Sequence, residues 1–397
     1  MPPIPRLRNY QGPAILSYGF RPFFFAAAVY AGIAIGLWIP FFSGEIVLPT
    51  AMTPVDWHIH EMLYGFLPAV ITGFLLTAIP NWTGRLPLQG ASLAVLVLVW
   101  IAGRAAVLVS ALIGPVAAGL IDVSFLLLVA AATAREVVAG RNWRNLPPIA
   151  ILLVLFAGNV VFHVEDATSG MASFGPRIGI GAIIILLSLI GGRVVPSFTR
   201  NWLARENPGR LPVPFGRFDV GVMALSVLAL VLWLLLPEWT GTAVLLLIGA
   251  IAHAVRLARW AGDRTWRDRL VLVLHAAYAF VPLGFLLVAG AILFPQRIPV
   301  SAGIHAWTVG AIGTMTLAIM TRATLGHTGQ PLSANWLTQV VYALVLAAAA
   351  IRIAAAFSPE WTFGLLHSAA AFWIAAFWGF AIGYGPLLWR RRVKSSG

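Results

Sequence analysis

Two histidines and two carboxylates stand at the start of an apolar stretch of this chain, TPVDWHIHEMLYGFLPAVITGFLL. Imidazole is a strong ligand for iron, copper and zinc, and a carboxylate can bind a metal or carry a proton. The Thr-Pro pair and Asp56 also form the capping pattern of a helix start. His58 and His60 are two residues apart, about 200° around an α-helix, so they point to different faces. The pattern predicts two neighbouring centres, one bound from each face.

The helical wheel divides the residues that follow between these two faces. Glu61 and Gly65 fall on the face of His58, whereas Tyr64 falls on the face of His60. Small residues let another helix, or a flat macrocycle, approach the backbone closely. The small residues on this face are therefore compatible both with close helix packing and with the binding of a cofactor.

Other histidines lie at the ends of apolar segments, and the distribution of basic residues places these ends at the same side of the membrane. His163 closes the fifth segment beside Glu165, and His305 opens the tenth. Helix bundles build cofactor sites from side chains that face one another at a common level. We expect a metal or haem site formed by His58, His60, His163 and His305. The alternative for each histidine is a structural hydrogen bond inside the bundle.

The tenth apolar segment resembles the second in its composition. Gly310 and Gly313 follow His305, and such glycines suit close helix packing or leave room for a porphyrin. His327 ends this segment at the opposite side of the membrane, and His275 lies early in the ninth segment at a similar level. A second site bound by His275 and His327 is therefore also predicted.

The elements that must position these residues are membrane-spanning helices. The chain has 397 residues, of which 60% are hydrophobic and 10% charged, against about 25% charged residues in soluble domains. Apolar runs near 20 residues mark spanning helices. Twelve are predicted, at 21–42, 55–79, 91–112, 115–138, 147–165, 175–197, 217–236, 241–259, 269–294, 301–323, 334–356 and 361–388. The predicted fold is an all-α polytopic membrane bundle that forms a single domain, 1–397.

The basic residues indicate the orientation of this bundle and exclude one class of function. The formal net charge is +13, but Arg and Lys lie in short loops that alternate with loops almost free of them. That alternation is the positive-inside pattern, so both termini, with Arg6 and Arg8 at one end and the basic tail at the other, are predicted to be cytoplasmic. No basic domain stands outside the membrane, so nucleic-acid binding is excluded.

The absence of cysteine limits the cofactors. It removes disulfides, thiolate-bound metals, iron–sulfur clusters and covalently attached c-type haem. Any metal must be held by His, Met or carboxylate side chains.

Two charges lie deep within neighbouring apolar segments. Arg104 in the third segment and Asp122 in the fourth have compatible depths on antiparallel helices. An unpaired charge inside a membrane is expensive, so we expect these two residues to form an ion pair.

Several motifs together resemble the NnrS family, polytopic proteins of denitrifying and related bacteria. The matching stretches are WHIHEMLYGF, GFLLTAIPNWTGR, GGRVVPSFTRNWL, HAVRLARW, LVLHAAYAF and HAWTVGAIGTMTLAIMTRATLGHTG. They include His58, His60, His253, His275, His305 and His327. The resemblance implies a b-type haem and copper bound by histidines, a role connected with nitric oxide, and a place in the bacterial cytoplasmic membrane. It does not imply a particular reaction.

Three functions follow from these observations. The first is a haem–copper protein that binds or reduces nitric oxide, which partitions into the lipid bilayer. Reduction would require a donor such as quinol, and protons relayed by the catalytic candidates Glu61, Asp56 and Glu165. The second is a sensor or protection protein that binds nitric oxide without turnover, and the third is a metal or haem transporter. The oligomeric state stays open, because contacts between chains in lipid use the same small residues as internal packing.

Overall fold

The computed structural model describes residues 10–391 and is helical, with no strand among these residues. Twelve of its helices are long and apolar enough to cross a membrane. We label them α1 to α12 in chain order: Phe20–Phe42, Pro54–Thr83, Gly90–Leu108, Pro115–Ala139, Trp143–Ser169, Phe174–Glu206, Arg217–Leu235, Thr240–Arg264, Arg269–Leu293, Val300–Thr328, Trp336–Phe357 and Pro359–Trp389. The predicted all-α fold and number of spans are confirmed, and the chain is a multi-pass membrane protein.

The helix ends differ from the predicted boundaries in a regular way. Several helices continue past the end of their apolar run, and α6 extends to Glu206 rather than to residue 197. The polar turns at a helix end keep their backbone hydrogen bonds within the helix. The helix therefore extends beyond its apolar run. The third predicted span ends early instead, because α3 stops at Leu108 and Ser110–Ile113 forms a separate short helix.

Side chains cap several helices, and the cap predicted at the start of α2 is one of them. The hydroxyl of Thr53 accepts the backbone N–H of Asp56 at 3.1 Å at the start of α2. Asp268 accepts the N–H of Leu270 at 2.9 Å at the start of α9. These bonds satisfy amides that have no partner within the helix, and they fix where each helix begins.

The helices divide into two compact units. The first comprises the residues up to Gly179, Ala323–Pro331 and the residues from Phe377 onward. The second comprises Ile180–Arg322 and Leu332–Ala376. In the first unit, α2 packs on α1 and α4, and α4 also packs on α3 and α5. In the second unit, α9 packs on α8 and α10.

Two spans contain π-helical segments at corresponding places. In α2 the segment Glu61–Phe66 directly follows His60, and in α10 the segment Ala306–Gly313 directly follows His305. A π-helical turn holds one extra residue, and such turns occur frequently at functional sites. Both histidines therefore stand where the helical phase changes.

The orientation of the termini stays a prediction, since Arg6, Arg8 and the basic tail from residue 392 lie outside the described residues.

Candidate metal centre

The imidazole of His60 is completely buried inside the first unit. Its Nε2 atom lies 3.1 Å from Oδ2 of Asp122 on α4 and 3.1 Å from Oδ1 of Asn159 on α5. Asn159 also donates from its amide nitrogen to Asp122 Oδ2 at 2.8 Å. Three helices thus direct polar atoms toward one point within an apolar bundle.

His163 completes this cluster from α5. Its Nε2 atom lies 3.0 Å from the same oxygen of Asp122 that faces His60. One ligand atom from each of His60, Asp122 and His163 lies within 4.8 Å of the others, which is close enough to share a metal ion. We refer to these three residues as the metal trio. Asn159 was not among the residues predicted from the sequence.

Glycines let the helices that carry the metal trio approach closely. A Cβ atom at Gly103 of α3 would lie 3.0 Å from Asp122 Oδ1. A Cβ atom at Gly119 of α4 would lie 3.2 Å from Cγ of His163. Larger residues at these two positions would push α3 and α5 away from α4.

Glu61 fixes the tautomer of His60. Its Oε1 atom lies 3.1 Å from His60 Nδ1, and an ionised carboxylate accepts hydrogen bonds but does not donate them. The ring therefore carries a proton on Nδ1, and Nε2, which faces Asp122 and Asn159, is the nitrogen that would bind a metal at the trio. A histidine held by a carboxylate in this way is typical of metal sites.

Arg104 joins the two carboxylates of the cluster. It donates to Glu61 Oε2 at 2.6 Å and forms an ion pair with Asp122 Oδ1. The predicted pair of Arg104 and Asp122 is confirmed, with Glu61 as an additional partner. The hydroxyl of Tyr30 on α1 donates to Glu61 as well. With His60 and His163 neutral, the one guanidinium and two carboxylates leave one excess negative charge, which a bound cation would balance.

Glu61 was expected on the face of His58, and its carboxylate contacts His60. Glu61 is the first residue of the π-helical segment Glu61–Phe66. The space beside Gly65 is filled by its own neighbours: a Cβ atom there would lie 2.7 Å from Glu61 Oε2 and 3.1 Å from Cζ of Arg104. This glycine makes room for the ion pair.

His58 contacts a different part of the first unit. Its ring stacks on Trp38 of α1, with centroids 4.0 Å apart and an interplanar angle of 21°. The two imidazoles of the opening motif therefore have different partners, as their spacing predicts.

The two other predicted proton carriers, Asp56 and Glu165, are held by helix-start contacts. Asp56 accepts the hydroxyl of Thr53 at 3.0 Å and the N–H of Ala172 at 3.4 Å. Glu165 accepts three successive backbone amides at 2.9 to 3.0 Å, those of Ser173, Phe174 and Gly175. Glu165 thereby anchors the beginning of α6.

His305 belongs to the second unit, whereas the metal trio belongs to the first. Its Nδ1 atom donates to the backbone carbonyl of Ser301 at 2.6 Å, so its lone pair is on Nε2, the usual state of a metal-binding histidine. The predicted cofactor glycines nearby are packed against aromatic rings. A Cβ atom would meet Phe280 at Gly310 and would lie 2.6 Å from Trp373 at Gly313.

The two histidines of the predicted second site lie in different units. His327 stacks on Tyr18 at 5.5 Å within the first unit. His275 is bonded to Thr199 at 2.8 Å within the second. Burial raises the pKa of Tyr18, which lies outside the spans, to about 12, so this hydroxyl stays protonated.

A second buried network in the second unit was not predicted. His253 lies 2.9 Å from the hydroxyl of Tyr278, and Arg256 donates to that hydroxyl at 2.9 Å and to Asp219 at 2.8 Å. The sequence signal was Arg256 one turn after His253 on an apolar helix, together with Asp219 on the preceding one. This network contains a buried ion pair between Arg256 and Asp219.

A family model described as NnrS protein matches residues 14–392. The chain belongs to the NnrS family. The match covers nearly the whole chain and includes the metal trio, and it links this membrane protein to nitric oxide. No curated protein and no solved structure matches the chain.

Proposed function

We propose that this NnrS protein binds nitric oxide at a metal ion held by His60, Asp122 and His163. The observation that supports the proposal is the convergence of these three ligand atoms within 4.8 Å of one another. The Glu61 carboxylate, which leaves the lone pair of His60 on Nε2, strengthens it. Family membership supplies the connection with nitric oxide, and the bacterial cytoplasmic membrane is the proposed location.

The ligand set fits a small transition-metal ion such as the copper that the resemblance implies. Imidazole binds copper, iron and zinc, and a carboxylate adds a negative oxygen. When bound, such an ion supplies an open coordination position for a diatomic molecule. The residues around it would keep the site dry: His60 is fully buried, and Phe162 covers its ring at 5.2 Å. Nitric oxide is small and apolar, so it can reach this site from the bilayer.

The fit of a haem is poorer among the described residues. The glycines predicted to admit a porphyrin are packed against Arg104, Phe280 and Trp373. His305, whose lone pair is on Nε2, has the tautomer that a haem ligand needs. The proposal of haem b is therefore supported by the family resemblance, with His305 as the candidate ligand. We derive no chemical step from a haem.

The carboxylates favour binding over turnover. A proton relay needs groups that can gain and lose protons, but Glu61 is held in an ion pair and Glu165 in three backbone hydrogen bonds. We therefore place a sensor or protection role before a quinol-linked reduction. Steady-state uptake of nitric oxide with a quinol analogue separates the two, because a binding protein stops after stoichiometric uptake.

The test of the proposed site compares His60→Gln with His367→Gln, whose imidazole is exposed and bonded to the carbonyl of Phe363. Both purified full-length variants are analysed for metal content and titrated anaerobically with nitric oxide. We expect His60→Gln to lose the metal outside haem and the corresponding nitric oxide uptake, and His367→Gln to keep both. If the two folded variants have equal metal content and equal nitric oxide uptake, the metal trio is not the site at which nitric oxide binds.

A further inference from the structure

The ligand atoms of the metal trio are two imidazole nitrogens and one carboxylate oxygen. An additional oxygen, the amide oxygen of Asn159, lies 3.1 Å from His60 Nε2. The chain contains no cysteine, and no sulfur belongs to the trio. Thiolate and thioether ligands select Cu(I), whereas two histidines and one carboxylate with open positions are the ligand set of non-haem iron(II).

Both histidine nitrogens lie close to the same oxygen of Asp122. Asp122 Oδ2 lies 3.1 Å from His60 Nε2 and 3.0 Å from His163 Nε2. These are the separations of ordinary hydrogen bonds, and neighbouring ligands of an octahedral ion with bonds of about 2.1 Å are also about 3.0 Å apart. An octahedral ion therefore fits between these three side chains without a large movement.

Arg104 restricts Asp122 to one ligand oxygen. The guanidinium pairs with Oδ1, while both histidines face Oδ2. A carboxylate bound through one oxygen occupies one coordination position, so three protein ligands leave three positions of an octahedron open. That is enough to hold a small ligand such as nitric oxide beside water.

We infer that the metal trio binds a non-haem iron(II) ion whose open positions accept nitric oxide. The inference rests on the proposed function, because it names the metal of the same site. It goes beyond the copper and haem that the family resemblance implies. Arg104 acts as a positioning residue, since it contacts Asp122 and Glu61 rather than the ion.

The experiment uses the purified full-length protein, stripped with a chelator and then supplied anaerobically with Fe(II), with haem iron measured separately. Wild type is compared with His163→Gln and with His367→Gln as the control variant. Size-exclusion elution in detergent establishes that each variant is folded. Nitric oxide is then added, and the electron paramagnetic resonance spectrum is recorded for the high-spin signal of a non-haem iron–nitrosyl adduct.

We expect wild type and His367→Gln to retain one non-haem iron per chain and to give this signal. Loss of a ligand in His163→Gln should weaken iron binding at least about tenfold and remove the signal without changing haem content. If wild type instead retains no non-haem iron and gives no iron–nitrosyl signal, but binds copper or zinc supplied to parallel stripped samples, the iron inference is refuted while the metal site stands. If wild type retains no metal outside haem, both the inference and the proposed site are refuted.

Discussion

Replacement of Gly65 by alanine tests how tightly the ion pair of the metal centre is packed. The added Cβ atom would lie 2.7 Å from Glu61 Oε2 and 3.1 Å from Cζ of Arg104. Both distances are shorter than ordinary van der Waals contact. The bond between Arg104 and Glu61 is 2.6 Å long, so neither group can move away without lengthening it.

The expected cost follows from this crowding. Insertion of an extra methyl group into a packed core costs about 1–3 kcal/mol. An alanine in a helix gains back roughly 0.5–1 kcal/mol relative to glycine. We therefore expect Gly65→Ala to lower the free energy of unfolding by up to about 2.5 kcal/mol. The control is Gly221→Ala on α7, where a Cβ atom meets nothing within 4 Å. That variant should be unchanged or more stable by up to about 1 kcal/mol.

The measurement is reversible unfolding of each purified variant in mixed detergent micelles, with metal content as a second reading. Displacement of Glu61 loosens the partner of His60 Nδ1, so metal affinity should fall by about 10–100-fold in Gly65→Ala. The argument from crowding is wrong if the two alanine variants have the same free energy of unfolding and the same metal affinity.

Three further outcomes are expected from the contacts described above. Arg104→Met leaves Glu61 and Asp122 without their cation and should lower the free energy of unfolding by about 3–5 kcal/mol, measured in the same titration; an unchanged value would mean that both carboxylates are protonated in the wild type. Glu165→Gln weakens the cap of α6 and should cost about 1 kcal/mol while metal content and nitric oxide uptake stay unchanged; a loss of uptake would instead support the proton relay. Burial raises the pKa of Asp268, which lies outside the spans, so the folded state holds its proton more tightly than the unfolded state. The stability of the wild type should therefore fall as the pH rises through the folded pKa, and Asp268→Asn should lack this part of the pH dependence in unfolding titrations at several pH values.

Much of the architecture was predictable because it depends on simple physical quantities. Twelve apolar runs of spanning length gave twelve helices, since a membrane helix must satisfy its own backbone hydrogen bonds. The pair of Arg104 and Asp122 followed from the cost of an unpaired charge in an apolar medium. The separate directions of His58 and His60 followed from a spacing of two residues.

The contacts that the sequence did not predict depend on the local geometry of the helix or on residues far apart in the chain. Neighbouring side chains such as those of His60 and Glu61 do not face each other in a regular α-helix, so their contact at the start of a π-helical segment was not visible from the sequence. Asn159 and Tyr30 join the centre from other helices, and an isolated polar residue in an apolar segment does not indicate its partner.

The pair of Arg104 and Asp122 also bears on how the chain enters the membrane during synthesis. An arginine or aspartate costs about 2.5–3.5 kcal/mol at the centre of a helix that the translocon inserts, and less toward a helix end, where Arg104 lies. These two residues lie on consecutive helices joined by a short connection, so α3 and α4 can leave the translocon as one hairpin whose charges already neutralise each other. The same ion pair that orients a metal ligand in the finished protein thus lowers the barrier to its own biogenesis.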